Sequence, residues 1–129
     1  MSEPLGVHLD CGPEAAAAAR QAVATADGSL PSPVREDLLL LVTELVTNAV
    51  RHAGTGPEGS VELRVRMTPG SVRVEVVDAG TGFSHEVAAP SPDDAGGWGL
   101  YLVDRIADDW GVVTSASGTR VWFELGYAA

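Results

Sequence analysis

The stretch TELVTNAVRHAG, residues 43–54, places a carboxylate, an amide and an imidazole four residues apart, at Glu44, Asn48 and His52. On a helix these three line one strip, about 100° around from the apolar stripe of Leu38, Leu41, Leu45 and Ala49. A solvated helix edge would explain any one of them, but asparagine competes with the helix backbone and is a poor choice inside a helix that has no use for it. A second chemical feature is Asp78, which shares its parity with Val72, Val74 and Val76, so the inward face of a strand ends in a carboxylate. Such a group must be hydrogen-bonded or paired, or it neutralises. It opens D-x-G-x-G-F, residues 78–83, whose glycines Gly80 and Gly82 let backbone come close to a ligand. No further acids follow at the spacing of a calcium loop. The third feature is Gly96-Gly97-Trp98-Gly99-Leu100, where a loop becomes a helix. Backbone N–H groups at a helix start bind anions, and glycines admit a phosphate. Thr119, finally, puts a hydroxyl at the start of the inward face continued by Val121, Phe123 and Leu125.

Those residues need elements to hold them. Residues 5–10 alternate weakly as an edge strand, and the alanine-rich run after Pro13 predicts a helix over 13–26. Ser32-Pro33, with Glu36 and Asp37 close behind, opens a second helix over 33–53. VELRVRM alternates as a half-buried strand, and Pro69-Gly70 turns it into SVRVEVVD. Residues 79–97 are richer in Gly, Pro, Ser and Asp than a structural connection needs. WGLYLVDRIADDWG then reads as a helix with Leu100, Val103 and Ile106 or Ala107 inward, and VVTSA with TRVWFELG as a closing hairpin. Hairpins with three helices imply an α/β two-layer sandwich, a mostly antiparallel, mixed sheet with helices on one face.

Composition narrows the function. One domain spanning 1–129 is expected from the length and a 45% hydrophobic content. The only cysteine, Cys11, cannot form an internal disulfide and reads as a small packed side chain. The start resembles no signal peptide, and no run approaches the roughly 18 apolar residues of a membrane span, so a cytoplasmic protein is expected. A net charge of −10, with eight arginines and no lysine, argues against nucleic acid and anionic membranes as partners. A polyphosphate ligand would need local backbone donors and a divalent cation.

Taken together, E-L-V-x-N-A-V-x-H-A, D-x-G-x-G-F, G-G-x-G-L and G-T-x-V, in that order over residues 38–125, resemble the GHKL or histidine-kinase-like ATPase superfamily. The ELVTNAVRHA form and the short chain look most like bacterial anti-sigma factor serine/threonine kinases, especially the stand-alone proteins of actinobacteria. The resemblance implies a Bergerat-type fold and use of ATP with Mg²⁺. It implies Glu44 as general base, Asn48 as the Mg²⁺ ligand, and Asp78 as acceptor of the adenine amino proton. Gly80 and Gly82 would lie against adenine and ribose, Gly97, Gly99 and Leu100 at the phosphates, and Thr119 near adenine. His52 belongs to the motif without a chemical role, and residues 83–96 correspond to an ATP lid. Such lids often carry Lys or Arg toward the γ-phosphate, whereas FSHEVAAPSPDDAG has neither and holds three acids.

The implied function is phosphorylation of a serine or threonine on an anti-sigma factor antagonist, with a sigma factor as a further partner and a homodimer compatible with the family. Rival readings are an ATP-held switch that acts only by binding partners, and the detached catalytic module of a histidine kinase. A hydrolase using His52 is the weakest, because no G-x-S-x-G element is present.

Overall fold

The computed structural model describes residues 5–10, 12, 14–26, 30–52, 60–78, 99–115 and 118–127. Along them run β1 (Leu5–Asp10), α1 (Ala15–Ala26), α2 (Ser32–His52), β2 (Ser60–Thr68), β3 (Ser71–Asp78), α3 (Gly99–Ile106), β4 (Asp109–Ser115) and β5 (Gly118–Gly126). The five strands form one sheet in the order β1-β2-β3-β5-β4. Every pairing among them is antiparallel, with β1 at one edge as its weak alternation predicts.

Alternation dictates which face is covered. Val61, Leu63 and Val65 of β2, Val72, Val74 and Val76 of β3, and Val121, Phe123 and Leu125 of β5 are all buried. Their alternate neighbours, among them Arg64, Glu75 and Trp122, lie on the opposite face and stay partly or fully exposed. The three helices cover the apolar face in order: α1 contacts β1, α2 lies across β2, β3 and β5, and α3 packs on β4. A two-layer sandwich results.

Helix α2 is the central beam. Leu38, Leu41, Leu45 and Ala49 are buried as the spacing predicts, and Val42 and Val46 join them, so the buried stripe is wider than those four residues. Helix α1 reaches α2 through Ala15, Ala19 and Val23, all buried and four apart. Small side chains there permit close approach, and Arg20 Nη1 donates to Thr43 Oγ1 across the pair at 3.3 Å.

The third helix is shorter than the pattern predicts. Among the described residues of WGLYLVDRIADDWG the helix covers Gly99–Ile106, and Asp109, Trp110 and Gly111 belong to β4. The last helical hydrogen bond runs from Ala107 N–H to Val103 C=O, after which Asp108 N–H donates to Glu124 C=O. Pairing with β5 takes over the backbone, and Trp110, opposite Phe123, packs against the core. Leu100 and Val103 are buried as predicted.

At Pro69-Gly70, proline precedes a glycine with φ of 85°, the arrangement of a type II turn, and Thr68 pairs with Ser71. Cys11 lies outside the described residues.

Candidate functional site

The antiparallel register lays the inward side chains out in rows across the sheet. One row is Val7, Leu63, Val76, Val121 and Val112, wholly apolar. The next, toward the end of the sheet where β2 begins, is Leu9, Val61, Asp78, Thr119 and Thr114. Polarity enters the inner face here, and only over β3, β5 and β4. Asp78 is 4% exposed and Thr119 1%, and among the described residues they are the two buried polar side chains. Directly opposed residues have Cβ atoms about 4.5–5.5 Å apart, so carboxylate and hydroxyl are neighbours. Both have interaction partners. A buried carboxylate needs hydrogen bonds, because burial without them would cost several kcal/mol on the scale of about 2–7 for neutral polar groups and more for a charge.

The helices carry the other candidates. Helix α2 packs on β2, β3 and β5. Glu44 and Asn48 are both half-buried there, at the border of the buried stripe. A step of four residues advances the helix about 400°, so the strip drifts roughly 40° per step toward the core. Asn48 is thereby closer to the inner face than Glu44. Helix α3 begins at Gly99, with buried Leu100 beside it, and passes through Ala107 and Asp108 into β4.

Of the sequence candidates, Asp78 and Thr119 stand directly opposite each other on adjacent strands, Leu100 is buried, and Glu44 and Asn48 are half-buried on α2. Gly80, Gly82 and Gly97 lie outside the described residues, as does the segment 83–96. His52 is the last residue of α2. Among the described residues there is no cluster of three His, Cys, Asp or Glu suited to a metal. Thr114 was not singled out by sequence reasoning, although its parity with Val112 in VVTSA carried the signal.

Residues 11–125 match the histidine kinase-like ATPase domain. The chain belongs to that family. The match takes in all of α2 together with Asp78, Thr114 and Thr119, so the polar members of the row lie inside the family's domain. Among curated relatives, the chain is 34% identical over 86 residues to the serine-protein kinase RsbW of Listeria innocua serovar 6a, covering 57% of this chain and 55% of the relative. The RsbW of Bacillus licheniformis is 34% identical over 87 residues, 57% of this chain and 54% of that one. The chain spans about half the length of the curated relatives it matches. Among solved structures, the RsbU and RsbW domains of Rv1364c from Mycobacterium tuberculosis share the fold with a TM-score of 0.73 at 22% identity, over 97% of this chain and 32% of that one. The histidine kinase domain of the Erythrobacter litoralis EL346 blue-light activated kinase matches with a TM-score of 0.59 at 25% identity, over 91% of this chain and 61% of that one. No helix among the described residues is long and apolar enough to cross a membrane.

Proposed function

We propose that this protein is an ATP-dependent protein serine/threonine kinase that acts on an anti-sigma factor antagonist in the cytoplasm. The observation that carries the reading is the buried pair Asp78 and Thr119, polar side chains at the end of an otherwise apolar inner face. The family match and the likeness to RsbW kinases support it. Mg-ATP, when bound, supplies the transferable phosphoryl group and the divalent charge that offsets its phosphates in a protein of net charge −10. Asp78 accepts the amino proton of adenine and Thr119 stands beside it. Asn48 offers a side-chain oxygen to the cation, and Gly97, Gly99 and the start of α3 offer backbone donors to phosphate. Leu100 closes the pocket there, and Gly80 and Gly82 let backbone approach base and ribose. Glu44, one turn before Asn48, takes the proton from the attacking hydroxyl of the substrate. Residues 83–96 form the lid, and the chain 1–129 acts as one ATPase domain. A sigma factor is the further partner.

Incubation of the purified protein with Mg-ATP and a candidate antagonist is expected to yield a phosphoprotein. Glu44→Ala should lower the rate by about 10²- to 10⁴-fold, the usual contribution of a general base, with ATP affinity within a few-fold of wild type. No phosphoprotein from wild type, with ATP bound, removes the kinase claim.

A second reading has its own observation. The segment FSHEVAAPSPDDAG carries three acids and no Lys or Arg for the γ-phosphate. ATP held without transfer, as a switch for partner binding, fits that composition; ATP binding with no turnover is its signature.

A further inference from the structure

The row that ends the inner face does not stop at Thr119. In β4 the residue directly opposite Thr119 is Thr114, so Asp78, Thr119 and Thr114 stand side by side on three adjacent strands. Each of the three has an interaction partner in the structure. Opposed threonines have Cβ atoms about 4.5–5.5 Å apart, within reach of a hydroxyl–hydroxyl contact. We propose that Thr114 is a positioning residue of the base-recognition site, its O–H donated to the Thr119 oxygen so that the Thr119 proton is directed toward Asp78 or the bound base. The inference rests on the nucleotide reading above.

Hydroxyl chemistry supports the direction. Threonine has one proton and two acceptor lone pairs, so an isolated Thr119 hydroxyl could turn away from the site. A donor on its far side occupies a lone pair and keeps the proton from pointing there, which favours the directions toward the site. Hydrogen bonds in such a chain also polarise one another. Strand chemistry alone does not account for a threonine at 114. Valine has the same shape and a comparable strand preference, and Val112 and Val113 precede it in the same strand. Thr114 is exposed, as is Val113 on the other face of this edge strand, so exposure does not by itself select a hydroxyl. Position 114 differs from half-buried 112 in exposure, and from both 112 and 113 in the residue opposite: Val121 faces Val112, Arg120 faces Val113, and Thr119 faces Thr114.

The test is a double-mutant cycle read by calorimetric titration with Mg-ATP on the full chain. Thr114→Val should weaken binding by about 3- to 10-fold, the range of one neutral hydrogen bond. Thr114→Ser should bind as wild type does. In a Thr119→Val background, Thr114→Val should cause no further loss, because the group it positions is gone. Binding unchanged in Thr114→Val, or an equal loss in both backgrounds, overturns the inference while leaving the nucleotide site intact. No Mg-ATP binding by folded wild type overturns the nucleotide reading and this inference with it. Should Thr119→Val lower the melting temperature too far for titration, the comparison of Thr114→Val with Thr114→Ser decides alone: both weakened equally overturns the proposal.

Discussion

Asp78 is a buried carboxylate next to a buried hydroxyl, and a carboxylate in that position is useful when something presents it with an N–H. Asp78→Asn preserves shape but replaces a charged acceptor by a group that is half donor. Hydrogen bonds to charged groups contribute about 1.5–3 kcal/mol, so Mg-ATP should bind roughly 10- to 100-fold more weakly to the variant, by titration calorimetry. A loss below threefold would place the base elsewhere. Asn48→Ala addresses the cation: ATP affinity of wild type should rise with added Mg²⁺, and that of the variant should rise much less. Asp78 was legible in the sequence because strand parity is strict, and Asn48 because the strip on a helix is. What could not be read was that Asp78 and Thr119, 41 residues apart, are directly opposed. Register across β3 and β5 depends on pairing, not on either strand alone.

At the scale of elements, the uncovered face of the sheet is organised by charge and one aromatic ring. Arg73 lies over the Trp122 ring at 4.2 Å and its Nη1 donates to Glu124 Oε1 at 2.8 Å. The indole crosses Gly111 on β4, where an added Cβ would stand 2.7 Å from Trp122 Nε1. Gly111→Ala should therefore displace the ring and destabilise the β4–β5 edge by about 1–3 kcal/mol, the range for overpacking, measurable by urea denaturation. An unchanged midpoint would mean the indole swings aside freely. On the same face Arg64 Nη2 donates to Glu62 Oε1 at 2.7 Å. That hydrogen bond holds the Glu62 carboxyl below its ordinary value, with the charges of Arg64 and His8 adding and burial opposing. A depressed folded-state pKa means the contribution is complete above the unfolded value and disappears as pH falls through the folded one. In an NMR titration Glu62 should protonate below an ordinary glutamate, and Arg64→Gln should bring its midpoint back up. These contacts escaped the sequence because alternation assigns a side chain to a face but not to a neighbour. The shortened α3 has a related cause: helical spacing continued through ADDWG until pairing with β5 claimed it.

For the whole molecule, folding and ligand binding should be linked. Phe123 is fully buried at the centre of the inner face, and Phe123→Ala should cost about 3–5 kcal/mol, a large part of a small domain's stability. Mg-ATP at 100 times its dissociation constant should add about 2.7 kcal/mol, raising the melting temperature of wild type and leaving that of Asp78→Asn at the same concentration little changed. Thermal scans with and without nucleotide check both. The polar row is the last rung of the apolar ladder, so core and candidate site share one face of the sheet. Helix α2 buries one stripe on that face and keeps Glu44 and Asn48 half-buried at its border.

Periodicity alone determined the elements, the inward face of each strand, the buried stripe of α2 and the chemical types available for a site, since these follow from periods of 2 and 3.6 that are written into the chain. The motifs determined the family. Tertiary structure decided the strand order, the register that sets Asp78 beside Thr119 and Thr114, the end of α3, and the ion-pair network on the outer face. Each of these is a choice among partners distant in sequence. A choice of that kind is made by the packing of the whole sandwich, in which a slip of one residue would turn an entire strand's apolar side chains to water.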